Sequence, residues 1–118
     1  MKHTLHFKTL PLTTNHMYIQ GRGYRFVNPK VRDRKLEIAK EAMAQFSGEP
    51  VDDVIQVKIA LRWPTRANHD VDNIKMLLDA LTGILWVDDG LIVDLRITKE
   101  YNKENPGVTV EVTSPAQP

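Results

Sequence analysis

Cysteine is absent from the 118-residue chain, and this absence excludes several kinds of site at once. Without thiols the protein has no disulfide framework, no thiolate zinc site and no cysteine nucleophile. Long apolar runs are also missing: none approaches the roughly 20 residues that cross a bilayer, and the start at Met1 lacks the hydrophobic stretch of a signal peptide. We therefore expect no membrane role and, as the simplest interpretation, a cytoplasmic location.

A large charge of one sign is missing as well, since the formal net charge is only +1. The charges are nevertheless separated along the chain, with an excess of basic residues between Arg22 and Lys40 and a concentration of acidic residues between Glu49 and Asp94. Such separation suits a protein whose basic surface follows a phosphate backbone while an acidic pocket binds a cation. An ordinary solvated helix face explains the basic stretch equally well.

Hydrophobic residues make up 42% of the chain, which is enough for one core, so we expect a single domain over residues 1–118. Alternation of apolar and polar residues predicts strands at 5–10, 54–63, 91–100 and 108–112, and glycines 21 and 23 predict a hairpin within 17–27. Asn28 followed by Pro29 is typical of a helix start. The core side of that helix is predicted to carry Leu36, Ala39, Met43 and Phe46.

A second amphipathic helix is predicted to end near Gly83. Its apolar residues are Ile74, Leu77, Leu78 and Leu81. The order of these elements predicts an α/β (α+β) domain in which two main helices pack on a mixed or mostly antiparallel sheet.

Acidic residues flank this second helix on both sides. Asp70 and Asp72 precede it, and because side chains two apart in an extended segment point the same way, their carboxylates can share one cation. Asp89, which follows the apolar run after the helix, can supply a third carboxylate, and such oxygen ligands suit Mg²⁺, with Mn²⁺ possible. Helix capping by Asp70 and Asp72 and a turn at Asp88-Asp89-Gly90 are the alternative interpretations.

Several other residues are candidates for contact with a phosphate or a base. Lys75 is placed to stabilise a scissile phosphate, although a solvated helix lysine is the alternative. His69 lacks partners at metal-ligand spacing and is better interpreted as a loop histidine near phosphate. Arg22 and Arg25 lie among aromatic residues that either stack on unpaired bases or simply pack. No nucleotide-binding glycine motif is present, so we expect no small-molecule cofactor.

Together these residues resemble a known family, the RusA-type Holliday junction resolvases, which are often carried by phages and prophages. The resemblance rests on the run from Asp70 to Asp94, which reads Asp-x-Asp-Asn, then Lys, then Asp-Ala-Leu, then Trp-x-Asp-Asp and a Val-Asp strand. Pro11 and Asn15 resemble the family's amino-terminal Pro and Asn. Residues 25–60 match in pattern only.

The resemblance implies a homodimer that binds four-way DNA junctions and makes paired nicks with Mg²⁺ or Mn²⁺. Two-fold symmetry suits this task, because a dimer presents two equivalent sites to a two-fold substrate. Carried over by position, the residues similar to the family's metal-binding catalytic aspartates are Asp70, Asp72 and Asp89, and the residue similar to its catalytic lysine is Lys75. The expected DNA-binding residues are Arg66, His69, Lys75, Arg22 and Arg25.

One departure concerns the lysine. Only Ile74 separates Asn73 from Lys75, where the family pattern has two residues, and this shift is worth about 100° of helical phase. Either the helix begins one residue sooner, or Lys75 points elsewhere. The second possibility leaves open a module that binds junctions without cutting them, and a metal-stabilised scaffold with no nucleic-acid role is a further alternative.

Overall fold

The computed structural model describes residues 2–11, 18–21, 24–27, 29–65 and 74–114, with the backbone alone for 18–21 and 24–27. In chain order the strands are β1 (Lys2–Phe7), β2 (Tyr18–Gly21), β3 (Tyr24–Val27), β4 (Ile55–Trp63), β5 (Ile92–Tyr101) and β6 (Gly107–Thr113). Helix α1 (Pro29–Gln45) lies between β3 and β4, and helix α2 (Ile74–Leu81) lies between β4 and β5. No helix among these residues is long and apolar enough to cross a membrane.

The main sheet has four strands in the order β1-β6-β4-β5. β6 is antiparallel to both β1 and β4, whereas β4 and β5 are parallel, so the sheet is mixed, as predicted. A parallel pair requires a crossover connection, and α2 lies within this one. The predicted hairpin is confirmed as a separate pair in which Tyr18 faces Val27 and Gly21 faces Tyr24.

Strand β4 is the centre of the core and follows the predicted alternation without exception. Its buried residues are Ile55, Val57, Ile59, Leu61 and Trp63. The residues between them are exposed or half-buried. On β6, the buried residues include Val108, Val110 and Val112. A sheet that buries one face in this way needs a layer of helices on that side.

The predicted core side of α1 was wrong for Leu36 and Met43, whereas Ala39 is half-buried and Phe46, just after the helix, is half-buried and packs against the core. Leu36 and Met43 are 49% and 56% exposed, while Val31, Ile38 and Ala42 are buried. The observed face lies one residue earlier along the helix, which is a rotation of about 100°. Burial of Val31 near the helix start and of Ile38 seven residues later fixes this orientation, and the choice between two apolar stripes is made by the sheet that receives the helix.

Side chains of helix α1 also form hydrogen bonds with the backbone at the outer edge of β1. The Gln45 side chain accepts from the backbone N–H of His6 (2.7 Å) and donates to its carbonyl (2.6 Å). The Glu41 carboxylate accepts from the N–H groups of Lys8 (2.7 Å) and Thr9 (3.2 Å). These contacts satisfy the backbone of an edge strand. The observed strand, Lys2–Phe7, begins and ends earlier than the predicted strand 5–10. β1 ends where its pairing with β6 ends, because the next backbone N–H groups, those of Lys8 and Thr9, donate to Glu41 instead.

Candidate active site

The candidate site is built around the start of α2. Six of the eight residues of this helix are buried, including all four predicted to face the core. The two exceptions are Lys75 and Asp79, which are four positions apart and therefore lie on the same outward side of the helix. Burial of the rest of the helix thus presents one ammonium group and one carboxylate to solvent side by side.

The segment after α2 is fixed by a buried tryptophan. Trp86 has no exposed surface, and its indole N–H donates to the Thr82 hydroxyl (3.0 Å), which in turn donates to the carbonyl of Leu78 (2.8 Å). Val51 pairs with this segment, donating to the carbonyl of Leu85 (2.9 Å) and accepting from the N–H of Val87 (3.0 Å). These contacts set the direction in which the chain leaves for the next acidic residues.

The two consecutive aspartates have different surroundings. Asp88 caps a short 3-10 turn, Asp89–Leu91, and its carboxylate accepts from the N–H of Gly90 (3.0 Å). The carboxylate of Asp89 accepts instead from the ammonium group of Lys75, with Nζ 3.1 Å from Oδ2. The alternative interpretation of a turn therefore accounts for Asp88, while Asp89 faces the start of α2.

Lys75 lies beside Asp89 despite its shifted spacing. Its ammonium group donates to the Asp89 carboxylate and also contacts Asp79. The hydrogen bond to Asp89 is the main cause that raises the pKa of Lys75, followed by the hydrogen bond to Asp79. In the same way, the hydrogen bond from Lys75 lowers the pKa of Asp89. The pair is thus an ammonium and a carboxylate over the whole neutral range.

A second carboxylate completes the cluster. Asp79 Oδ1 lies 3.3 Å from Lys75 Nζ, and Asp79 Oδ2 lies 3.7 Å from the ammonium nitrogen of Lys35 on α1. The order Lys35, Asp79, Lys75, Asp89 gives four alternating charges from three segments of the chain. Sequence reasoning assigned no role to Asp79 or Lys35. The four-residue spacing from Lys75 was a signal for Asp79, whereas only the packing of α1 on α2 brings in Lys35.

Most of the other predicted site residues lie outside the described residues. This applies to the metal ligands Asp70 and Asp72 and to the DNA-binding residues Arg66, His69 and Arg22. Arg25 lies on β3 opposite Gln20, where only the backbone is described. Within the described part of the chain, no group of three or more His, Cys, Asp or Glu side chains is arranged to hold a metal ion. Of the predicted residues, the structure therefore brings together Lys75 and Asp89.

Comparison with known proteins gives consistent matches over most of the chain. A family model described as Endodeoxyribonuclease RusA matches residues 10–113. A curated relative from Aquifex aeolicus (strain VF5), named Crossover junction endodeoxyribonuclease RusA, is 30% identical over 112 residues, which cover 92% of this chain and 88% of the relative. Relatives of the same name from Escherichia coli O139:H28 and Escherichia coli strain K12 are 35% and 34% identical over 95 residues, covering 75% of this chain and 76% of each relative.

Proposed function

This chain belongs to the endodeoxyribonuclease RusA family, and we propose that it is a Holliday junction resolvase, a Mg²⁺-dependent endodeoxyribonuclease that makes paired nicks in four-way DNA junctions. The proposal includes Asp70, Asp72 and Asp89 as the metal ligands and Lys75 as the lysine of the catalytic site. The observation that carries it is the contact between Lys75 and Asp89, because it joins the two ends of the acidic motif in space.

Chain connectivity supports a role for the two aspartates before α2. Asp72 is only three residues from Lys75, and three extended residues span at most about 11 Å. Lys75 in turn contacts Asp89, so the chain length is compatible with the proposed binding of one ion by Asp72 and Asp89. Asp70, two residues earlier, points the same way as Asp72 if the segment is extended.

The donor chemistry of these residues fits a small divalent cation. Carboxylate oxygens are the ligands that Mg²⁺ prefers, and a site of two or three carboxylates leaves positions for water and a substrate phosphate. Asp89 suits this role because its carboxylate lies at the surface beside the start of α2, where a cation and a phosphate can reach it. A cation bound here supplies an activated water and offsets the charge that develops on the phosphate.

The lysine has a separate part in the proposed chemistry. The side chain of Lys75 is 68% exposed, so a phosphate can approach its ammonium group directly. From its position beside Asp89 it can donate to a non-bridging or leaving oxygen of the phosphate being cut. Lys75 thereby stabilises negative charge in the transition state without itself losing a proton, in keeping with its raised pKa.

Binding of a junction is proposed to involve a homodimer, because two opposed cuts require two equivalent sites related by a two-fold axis. The DNA backbone is proposed to be contacted by Lys75 and by the predicted residues Arg66, His69, Arg22 and Arg25. The basic side of α1, which includes the exposed Arg32, can extend this surface.

The test is cleavage of a synthetic four-way junction in Mg²⁺, with linear duplex as the comparison substrate. We expect Asp89→Asn to lower the rate by at least about 100-fold, because loss of an outer-sphere partner of a metal ligand already costs 10- to 100-fold. Asp88→Asn is the matched control: it removes the same charge from the adjacent residue, while its amide oxygen can still accept from Gly90. Equal loss in both variants, or cutting by Asp89→Asn at the wild-type rate, would show that the site assignment is wrong.

A further inference from the structure

Lys75 lies between two carboxylates, and one of them has no part in the proposed metal site. Its Nζ atom is 3.1 Å from Asp89 Oδ2 and 3.3 Å from Asp79 Oδ1, so the two contacts are nearly equal. Asp89 comes from the 3-10 turn after α2, whereas Asp79 lies on the same helix as Lys75, one turn further along. The ammonium group therefore has one partner in the proposed metal site and one outside it.

Helix stability does not explain this pair. Lys75 is in the first turn of α2 and Asp79 in its last turn, so each charge lies at the end of the helix where the macrodipole disfavours it. Of the two possible orders of such a pair, the one with the acidic residue four positions before the basic one stabilises a helix more, and the order here is the reverse. Exposed ion pairs contribute little in any case. The helix itself therefore gains little from this pair.

Binding of a divalent cation at Asp89 changes the balance between the two contacts. A doubly charged ion attracts the Asp89 carboxylate more strongly than an ammonium group does, and it repels Lys75. Lysine has a long flexible side chain, which loses a defined position unless a second group holds it. Asp79 is the group in place to do so, because its contact with Lys75 uses no atom of the metal site.

Asp79 is itself held from its other side. Its second oxygen lies 3.7 Å from Lys35 Nζ on α1, and both side chains are 37% exposed. Asp79 therefore contacts a lysine with each oxygen, one from its own helix and one from the neighbouring helix. The longer contact with Lys35 favours the orientation of the carboxylate in which Oδ1 faces Lys75.

We propose that Asp79 is a positioning residue that keeps the ammonium group of Lys75 at the edge of the active site when a divalent cation occupies Asp89. Lys35 supports the same arrangement by attracting the second oxygen of Asp79. The proposal rests on the proposed function in one respect, the binding of a divalent cation at Asp89, and it does not depend on the identity of the DNA substrate.

The first test follows the Lys75 ammonium group directly by nitrogen-15 NMR during titration with Mg²⁺ alone, with Lys75→Arg used to assign the signal. In the wild-type protein we expect the signal to shift and to persist when Mg²⁺ binds, because Asp79 still holds the group. In Asp79→Asn, an isosteric change at a partly exposed position, we expect the signal to be lost to solvent exchange on addition of Mg²⁺. Loss of the signal in the wild-type protein, its persistence in Asp79→Asn, or no response to Mg²⁺ in either protein would overturn the proposal.

The second test measures single-turnover cleavage of a four-way junction. We expect Asp79→Asn to slow cutting by about 10- to 100-fold, the cost of misplacing a catalytic group by about 1 Å, without weakening junction binding. Asp79→Glu should recover most of the rate. In a Lys75→Met background the same substitution should have no further effect, since Asp79 acts only through Lys75.

A structural role for Asp79 would give a different pattern, in which Asp79→Asn slows the Lys75→Met enzyme by the same factor, and that result would refute the proposal. The two tests separate this proposal from the proposed function. If the wild-type chain binds Mg²⁺ with the expected Lys75 response but cuts no DNA, then the resolvase assignment fails and the positioning role of Asp79 stands.

Discussion

Replacement of Thr82 by valine tests how the segment that carries Asp89 is held in place. Thr82 is half-buried and links two elements: its hydroxyl accepts from the indole N–H of Trp86 (3.0 Å) and donates to the carbonyl of Leu78 (2.8 Å). Valine has nearly the same shape as threonine but no hydroxyl. Thr82→Val therefore leaves the volume of the site unchanged and removes the partner of a donor on a side chain with no exposed surface.

The expected cost follows from that orphaned donor. A buried polar group that loses its partner costs about 1–3 kcal/mol, more than the net contribution of the hydrogen bond itself. Each 1 kcal/mol lowers the melting temperature of a domain of this size by roughly 4 °C, so we expect a fall of roughly 4–12 °C. Thr82→Ser, which keeps the hydroxyl, should stay within about 1 kcal/mol of the wild-type protein.

Urea unfolding followed by tryptophan fluorescence measures this cost, and the slope of the transition should stay constant if only the native state changes. A second comparison isolates the indole. In a Trp86→Phe background the donor is gone, so Thr82→Val should cost clearly less than it does in the wild-type background. An equal cost in the two backgrounds, or a wild-type midpoint for Thr82→Val, would refute the reasoning that this hydrogen bond fixes the segment before Asp89.

Three further predictions concern the backbone, the site and the core. Gly107→Ala should cost at least about 2 kcal/mol in urea unfolding, because Gly107 has a φ of +140° and an added Cβ would lie 2.3 Å from a backbone oxygen of β1. Lys75→Met should raise the pKa of Asp89 back to its ordinary range, as measured by a carboxyl NMR titration. The contact with Lys75 lowers the pKa of Asp89 in the folded state. The stability that this contact contributes is therefore present above the unfolded pKa and is lost as pH falls through the folded pKa. Ile38→Ala should cost about 2–5 kcal/mol and Leu36→Ala about 1 kcal/mol or less by the same unfolding assay, because the first side chain has 0% exposure and the second 49%; a reversed order would contradict the orientation of α1.

The spacing of apolar residues along the chain was sufficient to predict the central strand and the second helix. In β4 a period of two matches a half-buried strand directly, and each predicted core residue from Ile55 to Trp63 is buried. In α2 the residues predicted to face the core, from Ile74 to Leu81, are buried as well. In both elements the apolar residues form one stripe, so the sequence allows a single orientation.

Helix α1 offered two stripes, and the sequence could not choose between them. Leu36 and Met43 form one apolar stripe, and Ile38 and Ala42 form another that is one residue earlier. Both satisfy the spacing of an amphipathic helix. Only the packing against the sheet and α2 decides that the smaller set is buried.

The parallel pairing of β4 with β5 was likewise beyond the sequence. Local alternation marks a strand but carries no information on the direction of its neighbour. Val93 and Leu95 of β5 are 65% and 39% exposed, whereas β1, at the opposite edge of the sheet, buries Leu5 and Phe7. Strand order is a property of long-range packing, and it determines which predicted faces are covered.

Two of the four charged residues that meet at the candidate site were predicted from the sequence. The motif pointed to Lys75 and Asp89, and the folded chain brings them to 3.1 Å. The one-residue shift before Lys75 made its direction uncertain, because the sequence does not fix where α2 begins. The contacts of Lys35 and Asp79 depend on how two helices pack, so no local pattern could reveal both.

The most direct test of the central claim is the position of a divalent cation in crystals soaked with Mn²⁺, located by its anomalous scattering. We expect one ion per protomer, bound within about 2 Å by carboxylate oxygens of Asp70, Asp72 and Asp89, with the ammonium group of Lys75 next to it. An ion bound by Asp70 and Asp72 with Asp89 remote from it, or no ion at these residues, would contradict the account.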